Sequence, residues 1–271
     1  MQSKIKLICL DLDQTLIDIS NLDNPHIPED NIKSIHKAIQ HGIHVCLSTG
    51  RMINSTLRIA KEIGIEKEYM ISYNGGCISQ GENVLSENII EGELLKKLLS
   101  IIKENNIYAQ FYQKDKFYVH HKTQRTLDYE KQLKIEAIEI GDEVYNLNYV
   151  NKILTATIDI EEKKRWMKLF KSVDEVDGVE STVKFYEIVS KGVSKGNAVR
   201  KLGQILNVDM SEVMVMGDAP NDESMLQVAG YPVVMGQADE SMKKGRIVTD
   251  TCANAGVSKA IEKYCFGNEY Y

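Results

Sequence analysis

Residues 5–15 read Ile-Lys-Leu-Ile-Cys-Leu-Asp-Leu-Asp-Gln-Thr, so an apolar run leads directly into two closely spaced carboxylates. The apolar part predicts a buried β-strand, because strands covered on both faces carry nearly continuous hydrophobic runs. Residues 213–222 repeat the arrangement, since Val-Met-Val-Met is followed by Gly-Asp-Ala-Pro-Asn-Asp. In open α/β sheets ligands bind outside the carboxyl ends of the strands, and we expect both acidic clusters at that edge.

Between these runs the chain alternates between helical and strand-like patterns. A helical pattern opens at Pro28 and closes at Gly42, and apolar runs typical of strands follow at 43–48 and 69–73. The same alternation resumes near residue 194 and continues to a terminal helix. This order predicts an α/β fold with a doubly wound, Rossmann-like core and a parallel sheet.

The middle of the chain has a different pattern. A hairpin turn is predicted at 80–83, and amphipathic helices at about 91–106 and 161–173 are separated by strand-like stretches. Such an arrangement indicates an α+β domain inserted into the core. The predicted division is a first core segment at 1–80, an inserted cap domain at 81–190 and a second core segment at 191–271.

Length and composition restrict the class of protein. The 271 residues are long for a single core, and a charged content of 27% is typical of a soluble globular chain. The net charge of -6 argues against binding to nucleic acid, which requires a basic surface. Five scattered cysteines, no signal-peptide pattern and no run of roughly 20 apolar residues predict a cytoplasmic protein without a membrane partner. A monomer or a small homo-oligomer is expected.

The two acidic clusters indicate a metal site. Asp11 and Asp13 are two residues apart, so the period of a strand sends both side chains to the same side. Neighbouring carboxylates disfavour one another's ionisation, and a bound cation relieves the conflict. Mg²⁺ fits best, because it takes carboxylate oxygens and often shares a phosphate oxygen with its substrate. The sequence therefore predicts Mg²⁺ as cofactor of a phosphoryl-transfer site, in which one carboxylate acts as nucleophile and the other transfers protons.

Three further residues complete the predicted site. Thr49 offers a hydroxyl for a phosphoryl oxygen, and Gly50 permits close approach of the backbone. Lys195 supplies a positive charge at the start of a helix, where backbone N–H groups also favour anions. Each pattern alone also fits a structural role, as a solvated strand end, a turn or a surface lysine. Their common position at strand ends and helix starts favours the functional interpretation.

These motifs resemble those of a known family. The chain is similar to the haloacid dehalogenase-like superfamily, and most similar to its Cof-type branch of phosphatases that act on sugar phosphates and other small metabolites. The resemblance covers both core segments, whereas the inserted domain resembles the branch's cap in position and general pattern. The motifs that carry the resemblance are Asp11-Leu-Asp-Gln-Thr15, Ser48-Thr-Gly-Arg51, Asn74-Gly-Gly76, Gly192-Val-Ser-Lys-Gly196, Gly217-Asp-Ala-Pro-Asn-Asp222 and Asn254-Ala-Gly-Val257.

The resemblance implies a role for each matching residue. Asp11 would be the nucleophile that becomes an aspartyl-phosphate, and Asp13 would be the general acid and base. The implied metal ligands are Asp11, Asp13 through its backbone carbonyl, Asp218 and Asp222, and the last of these would also orient metal-bound water. The implied phosphate-binding residues are Leu12 through its backbone N–H, Thr49, Gly50, Lys195 and Asn221.

One position departs from the family. Gln14 stands where the family usually has glycine after the second aspartate. If the backbone there adopts a positive φ, glutamine carries a conformational penalty, and otherwise the change is mild. The departure concerns the geometry of the loop, because it removes no predicted ligand.

The inserted domain is expected to shape the substrate pocket. The candidate contributors are Tyr112, His120, His121 and Arg125, with Arg51 from the core segment. For each of them a structural or solvated role is the alternative. A small phosphorylated metabolite is the expected partner of the site.

Two other functions fit the same residues. A phosphotransferase or phosphomutase would pass the phosphoryl group to a second hydroxyl instead of water. A non-catalytic protein would bind a phosphorylated metabolite without turnover, although the intact pair of Asp11 and Asp13 argues against it. A membrane ATPase is excluded by the lack of membrane-spanning segments.

Overall fold

Strands and helices alternate through most of the chain in a computed structural model, which describes residues 4–21, 24–133, 135–180 and 184–267. The strands are β1 Leu7–Leu10, β2 His44–Ser48, β3 Tyr69–Ser72, β4 Cys77–Gln80, β5 Asn83–Glu87, β6 Ile90–Glu91, β7 Ala109–Gln113, β8 Lys116–Val119, β9 Ile138–Glu139, β10 Tyr149–Val150, β11 Lys152–Ala156, β12 Val176–Val179, β13 Phe185–Ser190, β14 Val213–Gly217, β15 Tyr231–Val234 and β16 Ile247–Val248. The α-helices are α1 Glu29–Gln40, α2 Ile53–Glu62, α3 Gly92–Glu104, α4 Gln124–Leu133, α5 Ile160–Lys171, α6 Lys195–Leu206, α7 Glu223–Val228, α8 Glu240–Lys243 and α9 Gly256–Phe266.

The chain divides into two compact units. The first unit contains the described residues of Met1–Gly50, Thr56–Ser86 and Ser194–Tyr271, and the second contains those of Arg51–Ser55 and Glu87–Val193. The limits of the inserted domain at residues 81 and 190 stay a prediction. Within the described ranges, no helix is both long and apolar enough to cross a membrane.

The first unit is built on an eight-stranded sheet in the order β16-β15-β14-β1-β2-β3-β4-β5. All neighbours from β16 to β3 are parallel, and β4 pairs antiparallel with β3. The predicted doubly wound sheet is thus confirmed. The chain moves outward from β1 through β2 and β3 on one side, and from β14 through β15 and β16 on the other. The pair β1 and β14 is therefore the point where the strand order reverses, which is where open α/β sheets bind ligands.

Both faces of this sheet are covered by helices. One face packs against α1 and α9, which contribute Ile35 and Ile261, and the other packs against α6 through Val199 and Leu202. Burial of each such side chain contributes about 1.5–3 kcal/mol. All four residues of β1 are apolar and buried, as expected for a strand that is covered on both faces.

The second unit has a six-stranded sheet in the order β12-β13-β11-β7-β8-β9. Its pairs are antiparallel except for β8 and β9, which run parallel. Strands β6 and β10 form a separate two-stranded sheet. Helices α3 and α5 pack on the large sheet, where Leu98, Trp166 and Phe170 join Phe111 and Ile153 in one core.

Several elements differ from the sequence-based expectation. Helix α4 was not predicted, because its sequence Gln-Arg-Thr-Leu-Asp-Tyr-Glu-Lys-Gln-Leu is mostly polar and shows little periodicity. From the sequence we expect one helix at 221–229, whereas the structure has a 3₁₀ turn at Pro220–Asp222 followed by the short helix α7. Proline at the first position of that turn has no N–H to leave unpaired, which suits a tight start. The turn is what brings Asp222 back toward Gly217.

Candidate active site

The two acidic clusters meet at the edge predicted for them. β1 and β14 pair in parallel with Leu10 opposite Met216, so the residues that follow each strand emerge side by side. The N–H of Asp11 donates to Met216 O at 3.0 Å and carries the pairing one residue further. Asp218 follows the neighbouring strand directly. Parallel pairing therefore joins segments about two hundred residues apart in sequence.

Three carboxylates converge at this point. One oxygen each from Asp11, Asp218 and Asp222 can be chosen so that all lie within 4.8 Å of one another. Asp11 and Asp222 are buried, and Asp218 is partly exposed. Such a set of hard, negatively charged oxygens fits Mg²⁺.

A buried lysine lies among these carboxylates. Lys195 Nζ donates to Asp11 Oδ1 at 2.5 Å and to Asp222 Oδ1 at 2.6 Å, and its side chain is 0% exposed. It begins α6, whose start is capped by the Ser194 side chain, which accepts the N–H of Asn197. Burial opposes protonation of Lys195, but Asp11 and Asp222 outweigh burial and raise its pKa above the ordinary value. Lys195 is therefore a fixed positive charge.

The lysine does not balance the carboxylates. Burial raises the pKa of Asp11 well above its ordinary value, the Asp222 charge adds to the shift, and Lys195 opposes it. Burial and, to a smaller extent, the Asp222 charge likewise raise the pKa of Asp218 to about 7, against the opposing effect of a hydrogen bond from Thr15. Fully ionised, the three carboxylates would carry more negative charge than Lys195 compensates, and the raised pKa values mean that protons take up part of this excess. A divalent cation would remove that excess, so the residues fit the predicted metal.

Asp222 organises the loop that follows β14. Its Oδ2 accepts the N–H groups of Asp218 at 3.0 Å and Ala219 at 3.1 Å, while Oδ1 accepts Lys195. A Cβ at Gly217 would lie 2.5 Å from the carboxyl carbon of Asp222, so glycine is required for this close approach. Both oxygens of Asp222 therefore have hydrogen-bond donors. Direct ligation of a metal by Asp222 stays a prediction.

Thr15 contributes a contact to which the sequence analysis assigned no role. Its hydroxyl donates to Asp218 Oδ1 at 3.2 Å, and its side chain is fully buried. Thr15 stands in the first motif, but its partner is on a distant segment. The spacing of the motif alone contains no signal for this contact.

The loop after β1 is a tight turn with a strained backbone. The carbonyl of Leu12 accepts N–H groups from Leu16 at 2.9 Å and Ile17 at 2.8 Å, and Asp13 lies half-buried inside the turn. Gln14 has a φ of +60°, so the glutamine occupies a conformation that favours glycine. Of the two alternatives for this position, a positive φ with a conformational penalty or a mild change, the structure has the positive φ. The Gln237 side chain donates to the Gln14 carbonyl.

The second predicted motif lies after β2. Thr49 is buried, and its N–H donates to Ile71 O at 2.8 Å. A Cβ at Gly50 would lie 3.0 Å from Asn74 Oδ1, and the same oxygen accepts Asn221 Nδ2 at 3.3 Å. Thr49, Gly50 and Asn221 are thus joined through Asn74, which was noted in the sequence only as part of a family motif.

The predicted contributors from the inserted domain have partners inside the second unit. Tyr112 is buried and donates to Gln110 Oε1 at 2.7 Å, and Arg125 donates to Ala156 O at 2.8 Å. The remaining contacts are His120 with Asp142 at 2.9 Å and His121 with Glu139 at 3.5 Å. These contacts fit structural roles. Any part that these residues or Arg51 play in substrate selection stays a prediction.

Fold and site together define an α/β enzyme with its reactive groups at the switch point of a parallel sheet. Residues 8–261 match the family model of haloacid dehalogenase-like hydrolases. The chain belongs to this family, and the prediction made from its motifs is confirmed.

Known proteins resemble this chain over nearly its whole length. Phosphatase YwpJ of Bacillus subtilis is 27% identical over 267 residues, which are 88% of this chain and 92% of that protein. The 5-amino-6-(5-phospho-D-ribitylamino)uracil phosphatase YwtE of the same organism is 26% identical over 290 residues, covering 97% and 99%. A solved structure of a haloacid dehalogenase-like hydrolase from B. subtilis superposes with a TM-score of 0.85 at 26% identity, covering 95% of this chain and 99% of that one.

Proposed function

We propose that this hydrolase is a Mg²⁺-dependent phosphatase that cleaves phosphate monoesters of small metabolites through an aspartyl-phosphate intermediate. The observation that carries the proposal is the position of Asp11. Its carboxylate lies at the switch point of the sheet, bonded to Lys195 and grouped with Asp218 and Asp222. A nucleophile surrounded by one fixed cation and further metal-binding oxygens suits an anionic phosphoryl group.

The names of the relatives support the reaction class. YwpJ is named a phosphatase, and YwtE is named for a phosphorylated ribitylaminouracil. Both names describe hydrolysis of phosphate esters, and the second names a small metabolite. For this chain we propose only the class of substrate, phosphate monoesters of small metabolites, and no particular compound.

In the first proposed step Asp11 attacks the phosphorus atom of the ester. A bond forms between a carboxylate oxygen of Asp11 and phosphorus, and the bond between phosphorus and the ester oxygen breaks. The leaving oxygen takes its electron pair with it and receives a proton from the carboxyl group of Asp13. The products of this step are the free alcohol and an aspartyl-phosphate.

In the second proposed step water removes the phosphoryl group. Asp13, now ionised, takes a proton from the water molecule as its oxygen attacks phosphorus. The bond between phosphorus and Asp11 breaks, and the carboxylate of Asp11 is regenerated together with inorganic phosphate. Asp13 ends the cycle protonated, as it began.

The remaining residues hold charge and position. Lys195 is expected to contact phosphoryl oxygens as well as Asp11, with Thr49, Gly50, Asn221 and the N–H of Leu12 as further binding groups. Asp11, Asp218 and the Asp13 carbonyl would hold Mg²⁺, with Asp222 as a further candidate ligand. Bound Mg²⁺ would neutralise charge on the phosphoryl oxygens as they approach a carboxylate.

The test is phosphate release from an aryl phosphate by wild type and Asp11→Asn, with Mg²⁺ and with chelator. We expect Mg²⁺-dependent release that falls at least about 10⁴-fold in the variant, because an amide is a poor nucleophile. Near-wild-type turnover by folded Asp11→Asn would refute the covalent mechanism. Transfer to an added sugar without stoichiometric release of phosphate would favour a phosphotransferase, and binding without either would favour a non-catalytic protein.

A further inference from the structure

A strained turn next to the site has no role in the proposed mechanism. Residues Tyr73, Asn74 and Gly75 follow β3 as a tight turn and have φ values of +55°, +56° and +108°. All three are buried. Non-glycine residues with positive φ cost of order 1–3 kcal/mol each and persist where the surrounding structure holds them. Two of them in succession, at the carboxyl edge of the sheet, require an explanation.

Asn74 contacts the loop that carries Thr49. Its N–H donates to Thr49 O at 3.0 Å, which fixes the peptide that links Thr49 to Gly50. Its side chain fills the space beside Gly50, where a Cβ would lie 3.0 Å from Oδ1 and 3.1 Å from Nδ2. Asn74 therefore contacts the main chain of this loop in two ways, through its N–H at Thr49 and through its side chain at Gly50.

The same side chain reaches a second segment. Asn74 Oδ1 accepts Asn221 Nδ2 at 3.3 Å, and Asn221 lies in the 3₁₀ turn that also supplies Asp222. Asn74 is only 1% exposed, so this contact is made inside the protein. Buried amides that bridge two segments restrict both of them.

The next residue of the turn meets the third segment. A Cβ at Gly75 would lie 2.2 Å from Ser194 O and 3.1 Å from Lys195 N, so only glycine permits this approach. Ser194 caps the helix that begins with Lys195. The turn at 73–75 thus touches the three segments that carry Thr49, Lys195 and Asn221.

We propose that Asn74 is a positioning residue, which sets the Thr49–Gly50 loop and Asn221 at the separation that a phosphoryl group requires. The inference rests on the function proposed above and deepens it. The left-handed backbone at Asn74 is what turns its N–H toward Thr49 while its side chain faces Asn221. Asparagine tolerates this conformation better than most residues and also supplies the amide, which explains the residue type.

The main variant is Asn74→Gly, which accepts the same backbone conformation and removes only the amide. Asn207→Gly is the matched control, because Asn207 has a φ of +53° at the end of α6 and is exposed. We expect kcat/KM on an aryl phosphate with Mg²⁺ to fall about tenfold or more in Asn74→Gly, since small misplacements of binding groups have effects of this size. Asn207→Gly is expected to stay within about twofold of wild type, as surface changes usually do.

A binding measurement separates positioning from general stability. We expect the affinity for inorganic phosphate in the presence of Mg²⁺, measured by calorimetry, to fall in Asn74→Gly and not in Asn207→Gly. Combination with Asn221→Ala should give less than the sum of the two single effects, because both changes break one contact. Asn74→Asp keeps the side-chain volume, and its charge beside Gly50 should also lower phosphate affinity. It serves as the second variant if Asn74→Gly does not fold.

The outcomes separate this inference from the proposed function. Phosphate affinity and kcat/KM of folded Asn74→Gly within about twofold of wild type would overturn the positioning role and leave the phosphatase intact. A wild type that binds phosphate but releases none from esters would refute the phosphatase function and leave the positioning role open to test. The phosphate affinity of Asn74→Gly would then still show whether Asn74 positions the binding groups. Strict additivity with Asn221→Ala would overturn the positioning role, and so would a wild type that binds no phosphate.

Discussion

Each unit of this protein contains a buried lysine bonded to carboxylates, and the two clusters differ in charge balance. In the second unit, Lys152 on β11 pairs with Glu187 on β13 at 2.5 Å, with side chains 3% and 4% exposed. In the first unit, Lys195 faces Asp11 and Asp222, and Asp218 lies beside them. The second unit thus pairs one lysine with one carboxylate, whereas in the first unit one lysine lies among three carboxylates.

The difference distinguishes a structural cluster from a functional one. Lys152 lies diagonally opposite Glu187 on one face of an antiparallel sheet, and its Nζ is 4.7 Å from the centre of the Tyr112 ring. This pair is complete without a ligand. The cluster around Lys195 has more carboxylates than positive charges, and burial raises the pKa values of Asp11 and Asp218, so their full ionisation is unfavourable until a cation binds. An excess of carboxylates over lysine, and not burial of an ion pair as such, distinguishes the candidate active site.

The largest expected effect comes from Lys195→Met. We expect kcat/KM to fall at least about 10³-fold, because the variant loses the fixed charge that the proposed mechanism places beside the phosphoryl group. Phosphate release with Mg²⁺ measures this loss. Lys152→Met is the matched control for burial of a lysine, and an equal loss of kcat/KM in folded Lys152→Met would show that the two clusters do not differ in function.

The second prediction concerns the contribution of the Lys152–Glu187 pair to stability. Lys152→Met removes the positive charge 2.5 Å from the buried Glu187 carboxylate, so the free energy of unfolding should fall by about 3–5 kcal/mol. The double variant Lys152→Met/Glu187→Leu should recover most of it, since an apolar pair of similar volume needs no charge compensation. Urea unfolding measures both. A double variant as unstable as the single one would mean that the ion pair itself stabilises the sheet.

The third prediction concerns pH and metal at Asp218. Because burial raises its pKa from 3.8 to about 7, the folded protein binds a proton more tightly than the unfolded chain. In chelator, stability should therefore decline as pH rises from about 4 to 7, by at most about 1.4 kcal/mol per pH unit. Thermal unfolding of wild type and Asp218→Asn tests this decline, which should be weaker in the variant.

Mg²⁺ should reverse the decline. A ligand that binds the ionised carboxylates stabilises the folded state, and more so at pH 8 than at pH 5. The stabilisation should be small in Asp218→Ala and should persist in Lys152→Met, whose altered site is elsewhere. A wild-type melting temperature that is indifferent to Mg²⁺ at pH 8 would contradict a metal site at these carboxylates.

The smallest expected effect is at Gln14, where the first unit also stores backbone strain. Gln14→Gly should raise the free energy of unfolding by up to about 1 kcal/mol, because glycine accepts the φ of +60° without penalty. Gln14→Asn should give an intermediate value, since asparagine tolerates the left-handed region. Loss of stability in both variants would show that contacts of the glutamine side chain outweigh the strain.

Much of the fold followed from hydrophobic patterning. The apolar runs before Asp11 and Asp218 predicted two buried parallel strands, and their carboxyl ends predicted where the acidic residues would meet. Helices such as α1 and α6 followed from apolar residues at helical spacing. Helix α4 and strand β12 were missed, because polar sequence or short length leaves little periodicity for the pattern to show. Strand β13 was missed although its six residues, Phe-Tyr-Glu-Ile-Val-Ser, are mostly apolar.

The candidate site was predictable to a similar degree. Residue types and their position at strand ends or helix starts identified Asp11, Asp13, Asp218 and Lys195 as candidates. Their contacts depend on pairs that are far apart in sequence, such as Thr15 with Asp218. Spacing within a motif contains no information about such partners.

Local sequence decides the properties that arise within a few residues: which runs are buried, where strands end, and which side chains stand at those ends. Only the tertiary structure decides that Lys195 is buried between two carboxylates, that Gln14 is strained, and that Asn74 joins two loops. The reason is physical, because burial, charge balance and backbone strain depend on everything packed around a residue. The sequence shows which groups are present, and the packing determines their charge and their partners.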